Sequence, residues 1–398
     1  MAGSNGNPSR AAQPDCSSAE EVSQPIGFHL LRWAIGFVIA TALIWAIAWF
    51  FLDSIRPHVL EPHLARYVAP AGSNYRFRSE GWAVTHYGKY GIAAIPDIGL
   101  ASEPKIALWG DSFVEAPHVA DSLKMAQQVT AIWNRKHSKP LLAVGIGRGD
   151  RTVADYHFLL PWYEELTPFL CHIIVMGSLR DVCPDGIWFV TQPEYGFVSR
   201  QRRQPLPELR LFLDRYRLEF LWTPYWSLVG EKRNPLTHRV IRFHLGPLPV
   251  ASPHHRWTWQ NLEQVDSEAW NFAVQSLSRR TSVPVVFLYA PRVPYIDSGQ
   301  IIRDHPARDH ALRFAEICRH NGSDFIDLTD RFVAFYDETG QFPIGFANSQ
   351  YGKGHYNKYG HRLIAEEVCD YVADRFPELR AERYRELIKE IHGDLFED

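Results

Sequence analysis

Two stretches about 240 residues apart carry side chains that could perform acyl chemistry. "KIALWGDSFVEAPHV" (105 to 119) sets Ser112 directly after an apolar run. "GKGHYNKYGHRLIAEEV" (352 to 368) sets His355 in a glycine-rich loop before a helical segment, with Asn357 and Gly360 following. A serine becomes a nucleophile at neutral pH when a base, most often histidine, accepts its proton. Each residue also has a plainer reading. Ser112 suits a helix N-cap, and His355 is one of eighteen histidines. Gly149 suits a turn, and Asp111 suits a turn in which it bonds its own backbone. The order of these residues and their places at strand ends favour the catalytic reading.

Those positions require a scaffold, and the chain supplies one. Four apolar, β-branched runs occur in order: "KIALWG" (105 to 110), "LLAVGIG" (141 to 147), "HIIVMGS" (172 to 178) and "VPVVFLYAP" (283 to 291). Continuous runs of this kind read as strands buried on both faces of a parallel sheet. "ADSLKMAQQVTAIWNRKHS" and "VADYHFLLPWYEEL", which separate the first three, repeat at helical spacing. Strand, helix, strand is the βαβ pattern, so a three-layer α/β/α sandwich with a parallel central sheet is expected. Such sheets bind ligands beyond the carboxyl ends of their strands, and Ser112, Gly149 and Arg180 all fall there.

Residues 186–265 form an insertion containing "RQRRQPLPELRLFLDRYRLEFLW". Its helical period fits either a lid over the sheet edge or a solvated basic face. "LIAEEVCDYVADRF" and "LRAERYRELIKEIHG" read as closing helices.

Before the sheet, "WAIGFVIATALIWAIAWFFL" (33 to 52) is uncharged and long enough to cross a hydrocarbon core of about 30 Å. Trp45, Trp49, Phe50 and Phe51 gather at one end, as in an interfacial aromatic belt. The flank "DSIRPHVLEP" offers no small-residue cleavage site, so a retained single-pass anchor is expected. The boundaries read as a disordered tail at 1–25, an anchor at 26–54, a linker and extension at 55–104, and the sandwich at 105–398. Arg10 and Arg32 before the span balance Arg56 and Arg66 after it, leaving little charge asymmetry to set orientation. The working topology puts the short tail inside and the large domain outside the cytoplasm, on the periplasmic side.

A net charge of −3 over 398 residues excludes a broad nucleic-acid footprint. The five cysteines include no C-x-x-C pair, so neither a zinc site nor a redox dithiol is indicated, and no metal or cofactor is expected. Cys171 could bridge to Cys183, although a free buried thiol in an apolar run is commoner.

Strand-Gly-Asp-Ser near the start of the domain and His-x-Asn-x-x-Gly-helix near its end resemble the first and last blocks of the SGNH, or GDSL-type, hydrolases. The resemblance runs from Lys105 to the C-terminus. It implies Ser112 as nucleophile and His355 as base. It also implies an oxyanion hole from the N–H groups of Ser112 and Gly149, with Gly147 as the near alternative. The family would show an asparagine after the third strand, where this chain has Arg180 followed by Asp181. It would also show an aspartate at position 352, where this chain has Gly352. A Ser112–His355 dyad is therefore expected, with His355 oriented by a backbone carbonyl of its loop or by a carboxylate such as Asp327. Arg180 is expected to donate to the oxyanion, to clamp an anionic substrate, or to pair with a nearby aspartate.

The resemblance implies a serine ester hydrolase acting on an O-acyl, especially O-acetyl, ester of a carbohydrate or small molecule. Two alternatives stand beside it. One is an O-acyltransferase modifying an exported polysaccharide, similar to the membrane-anchored alginate O-acetylation proteins. The other is a non-catalytic carbohydrate-binding protein, with Trp222, Trp226, Trp257 and Trp259 as sugar-stacking surfaces.

Overall fold

The structure is a computed structural model. It describes residues 26–182 apart from positions 52, 55, 57, 63, 65 and 150, then short pieces between 189 and 221, and residues 267–380. Residues 1–46 and 47–398 form two units. Helix α1, Ile26–Phe51, has a mean hydropathy of 2.2 over its most apolar window and almost entirely exposed side chains. At about 1.5 Å per residue it exceeds the length a bilayer core requires. A signal sequence would share that length and composition.

Residues 55–104, read as a linker and extension, contain short strands. Among them, β1 (Asn74–Phe77) and β2 (Ala83–His86) pair antiparallel, and the turn between them contains Glu80. Along β2, Ala83 and Thr85 are buried, Val84 is half-buried and His86 is exposed, the alternation of a strand with one covered face.

The sheet contains β3 (Lys105–Gly110), β4 (Leu142–Gly147), β5 (His172–Met176), β6 (Val285–Tyr289) and β7 (Asp324–Asp327). All neighbours are parallel, in the order β7-β6-β5-β3-β4. Counted along the chain this is 2-1-3-4-5, the doubly wound order whose ligand crevice opens between the first and third strands. β3, β5 and β6 are buried at every residue, which explains their unbroken apolar sequences.

Helices cover both faces: α3 (Met125–Lys136), α4 (Val153–Leu166), α5 (Ser267–Ser278), α6 (Arg308–His320), α7 (Thr329–Thr339) and α8 (Lys358–Arg375). Side-chain alternation along β3 sorts them. Ala107 and Trp109 join the core beneath α4, α5 and α6, whereas Ile106 and Leu108 join the core beneath α3, α7 and α8. The expected three-layer sandwich is therefore observed, with four strands at the four expected runs.

The fifth strand, β7, was not expected. Its sequence, Asp-Phe-Ile-Asp, is charged at both ends and only half-buried at the sheet edge. The first closing helix is α8, and the second lies outside the described residues, as do the tail, Trp222, Trp226, Trp257, Trp259 and most of the insertion. Cys171 is a free buried thiol, which burial pushes up to about 12, while Cys183 lies outside the described residues.

Candidate active site

Ser112 opens α2 (Ser112–Glu115), a single turn placed directly after β3 at the sheet's crevice. The cap is its neighbour: Asp111 accepts the Phe113 N–H at 2.8 Å. The plain reading of Ser112 as an N-cap therefore does not apply, and its hydroxyl is directed elsewhere. Ser112 Oγ lies 2.9 Å from His355 Nε2, joining positions 243 apart in the chain.

The loop that holds His355 is pinned by its own backbone and by Asn357. The Gly345 N–H donates to the His355 carbonyl at 2.8 Å. The Asn357 carboxamide caps α8 by accepting the N–H groups of Tyr359 and Gly360, and donates to the carbonyls of Phe342 and Gly345. In the motif, Asn357 thus fixes the loop while His355 remains directed at Ser112.

The carboxylate against His355 is Glu80. Its Oε2 lies 2.7 Å from His355 Nδ1, and its Oε1 accepts the His355 N–H at 2.8 Å. A carboxylate only accepts, so Nδ1 carries the proton and Nε2 presents its lone pair to the serine. Neither expected acceptor has this role. Asp327 instead bonds the N–H and hydroxyl of Thr329 at the start of α7, and the Nδ1 partner is a side chain rather than a loop carbonyl.

Two glycines permit the approach. A Cβ on Gly354, whose φ is +90°, would meet Glu80 Oε1 at 2.1 Å. One on Gly81, whose φ is +71°, would meet the His118 carbonyl oxygen at 2.2 Å.

On the other side of Ser112, Gly149 is close, since a Cβ built there would lie 3.9 Å from the serine Cβ. Its N–H donates to Glu115 Oε2 at 3.0 Å. Glu115 is buried, and its Oε1 accepts the Tyr87 hydroxyl at 2.9 Å and pairs with Arg56. Gly147, the near alternative, lies under α2, where a Cβ would meet the Glu115 nitrogen at 2.2 Å.

Arg180 sits in a short 3₁₀ turn, Leu179–Asp181, just past β5, and its side chain lies outside the described residues. Asp181 accepts the N–H groups of Gly177 and Ser178, and burial together with Asp111 pushes its carboxyl up.

Several contributors beyond the motifs line this site. The His118 imidazole stacks on His355, with ring centroids 4.3 Å apart and planes at 36°, and Phe113 packs on the same histidine at 5.0 Å. Burial, then the neighbouring His355, drive His118 well below its ordinary value, so a neutral ring faces His355. Arg292, just past β6, brings its guanidinium to 5.8 Å from the Phe113 ring. Glu80 had a faint signal, a carboxylate followed by glycine between two short alternating strands. His118 and Arg292 had none. Among the described residues no cluster of three or more His, Cys, Asp or Glu is arranged to hold a metal ion.

Among solved structures, the chain is similar to a lipase/acylhydrolase from Enterococcus faecalis, with 15% identity and a TM-score of 0.33 over 68% of this chain and 96% of that one. It is also similar to a catalytic mutant of an acetylxylan esterase from Geobacillus stearothermophilus, with 13% identity and a TM-score of 0.35 over 69% and 96%. A third is an alpha/beta hydrolase enzyme from the metagenome of Lake Arreo, Spain, with 14% identity and a TM-score of 0.34 over 69% and 97%. No family model and no curated protein matches the chain.

Proposed function

We propose that this protein is a serine ester hydrolase whose catalytic groups are Ser112, His355 and Glu80. The observation that supports it is the continuous chain from Ser112 Oγ through His355 to Glu80, at 2.9 and 2.7 Å, located at the crevice of a doubly wound sheet. Ser112 Oγ bonds to the acyl carbon while its proton passes to His355 Nε2. The resulting imidazolium is stabilised by Glu80. His355 then gives the proton to the departing alcohol oxygen as the ester C–O bond breaks. Water attacks the acyl-enzyme, losing a proton to His355, and the acid leaves as Ser112 recovers its hydrogen.

The negative charge that develops on the carbonyl oxygen needs donors. The N–H groups of Ser112 and Gly149 serve, and the Gly149 N–H must turn from Glu115 to do so. Arg180 completes this side, in place of an asparagine, as a donor or as a clamp for an anionic group. The resemblance read from the sequence extends the substrate to O-acetyl esters of carbohydrate, with α1 holding the enzyme at a membrane.

A fluorophosphonate probe and p-nitrophenyl acetate test the reading on the full chain in detergent. Wild type is expected to label and turn over, and Ser112→Ala to do neither while melting at the same temperature. Labelling that persists in Ser112→Ala removes the serine from its role.

A further inference from the structure

Glu80 sits in the turn between β1 and β2, and side chains from two distant parts of the chain hold that turn. From the His355 loop, Asn348 accepts the Gly81 N–H at 2.8 Å and donates to the carbonyls of Arg78 and Gly81 at 2.9 and 2.7 Å. From the opposite direction comes Asp53, two positions past the end of α1 and buried to 8% exposure. Its Oδ1 accepts the N–H groups of Arg78 at 2.5 Å and Ser79 at 3.0 Å, and its Oδ2 accepts the Ser79 hydroxyl at 3.0 Å. All three bonds fall on the two residues that immediately precede Glu80.

The neighbouring residues continue the pattern. Ser54 exchanges two bonds with Arg76, donating its N–H to the carbonyl at 3.0 Å and accepting the Arg76 N–H on its hydroxyl at 2.9 Å. The Arg78 guanidinium reaches back to the Phe50 carbonyl at 3.3 Å. Arg56 pairs with Glu115, the carboxylate that takes the Gly149 N–H. A four-residue segment therefore touches the acid turn at one end and the glycine side of the site at the other.

We infer that Asp53 is a positioning residue for the Glu80–His355 pair, so that proton transfer at Ser112 depends on the segment that leaves the apolar helix. Three accepted hydrogen bonds on adjacent residues fix both the height and the rotation of the turn. With Asp53 removed, the Arg78 and Ser79 N–H groups lose their acceptor, and the turn keeps the Asn348 bonds, the ribbon and the Arg78 guanidinium's bonds to the carbonyls of Phe50 and Ala83. A shift of about 1 Å in a catalytic group can cost on the order of a hundredfold in rate. The inference rests on the proposed roles of Ser112, His355 and Glu80. It adds that the acid is held from the membrane-proximal end of the chain.

The experiment uses the full chain in detergent as wild type, Asp53→Ala, Glu80→Gln and the double variant. Fluorophosphonate titration counts competent sites, and p-nitrophenyl acetate gives kcat and KM per site. Asp53→Ala, which removes the oxygen that takes both N–H groups, is expected to lower kcat per titrated site by roughly tenfold to a hundredfold, with KM unchanged within about twofold. In the Glu80→Gln background, followed through the labelling rate constant, the same change should cost less than about twofold, because the group it positions has already been disabled.

Equal losses in both backgrounds, or fewer competent sites each with wild-type kcat, would make Asp53 merely structural and overturn the inference. If Asp53→Ala does not fold, Ser79→Ala removes the hydroxyl leg alone. A drop in kcat of about threefold at constant KM supports the inference, and an unchanged kcat overturns it. The underlying reading fails separately, through full turnover by Ser112→Ala.

Discussion

Replacing Glu80 with glutamine tests the acid with almost no change of shape, and the structure dictates the result. The carboxylate has two acceptor oxygens in use, one on the His355 N–H at 2.8 Å and one on Nδ1 at 2.7 Å. Glutamine keeps one oxygen and gains an NH₂. If the oxygen stays on the backbone N–H, the NH₂ faces Nδ1, which must then accept. The ring proton moves to Nε2 and points at Ser112 Oγ, 2.9 Å away, leaving the serine without a base. If the amide flips, a donor confronts the His355 N–H, and an unsatisfied peptide group costs about 1–3 kcal/mol. The productive flip is therefore populated to about one part in ten to one in a hundred, at 1.36 kcal/mol per factor of ten. Loss of the carboxylate also removes a charged hydrogen bond from the imidazolium, worth about 1.5–3 kcal/mol, or a further factor of ten to a hundred. The product is a fall in kcat on p-nitrophenyl acetate of about 10² to 10⁴, with the melting temperature moved by less than about 4 °C. A Glu80→Gln enzyme that retains more than a tenth of wild-type kcat would refute Glu80 as the orienting acid.

Gly81→Ala forces a methyl group onto the His118 carbonyl at an unfavourable φ. It should lower both activity and stability, by more than about 1 kcal/mol in denaturant unfolding; wild-type values would refute that steric account. Glu115→Ala leaves Arg56, the Tyr87 hydroxyl and the Gly149 N–H without their shared acceptor. A loss of about 3 kcal/mol is expected in the same measurement. For pH, burial then Lys124 lower His361 to about 3, and burial drives His118 well below its ordinary value. Both folded values lie below the unfolded value of about 6.5, so their contribution is complete above about pH 6.5 and is lost as pH falls below it. Stability should decline from pH 6.5 toward 4, and His361→Asn should remove about one proton from that slope.

The parts of this protein that were legible from sequence are those in which a local pattern carries the physics. β3, β5 and β6 could be read because strands buried on both faces must be apolar throughout, and α3 and α4 because their apolar residues recur at helical spacing. β7 could not, since an edge strand only half in the core has no such requirement. Ser112 and His355 were legible for a similar reason: each belongs to a short motif whose glycines and cap residues shape the backbone around it. Glu80 obeys no such rule. It is 275 residues from the histidine it bonds, in a stretch with few clear periodicities that reads only as a linker and extension.

What would have pointed to Glu80 is a missing group and two small ones. His355 Nδ1 needs an acceptor, and position 352, where the resemblance would put one, is glycine. Gly354, next to the histidine, lies where a side chain would run into Glu80, and Gly81, next to Glu80, lies where one would run into the His118 carbonyl. Glycines flanking a catalytic residue therefore mark where a distant segment of backbone or carboxylate arrives. The same logic extends to Asp53. Once the acid comes from a hairpin instead of the loop, something must hold the hairpin, and Asp53, just past α1, does so together with Asn348 of the His355 loop.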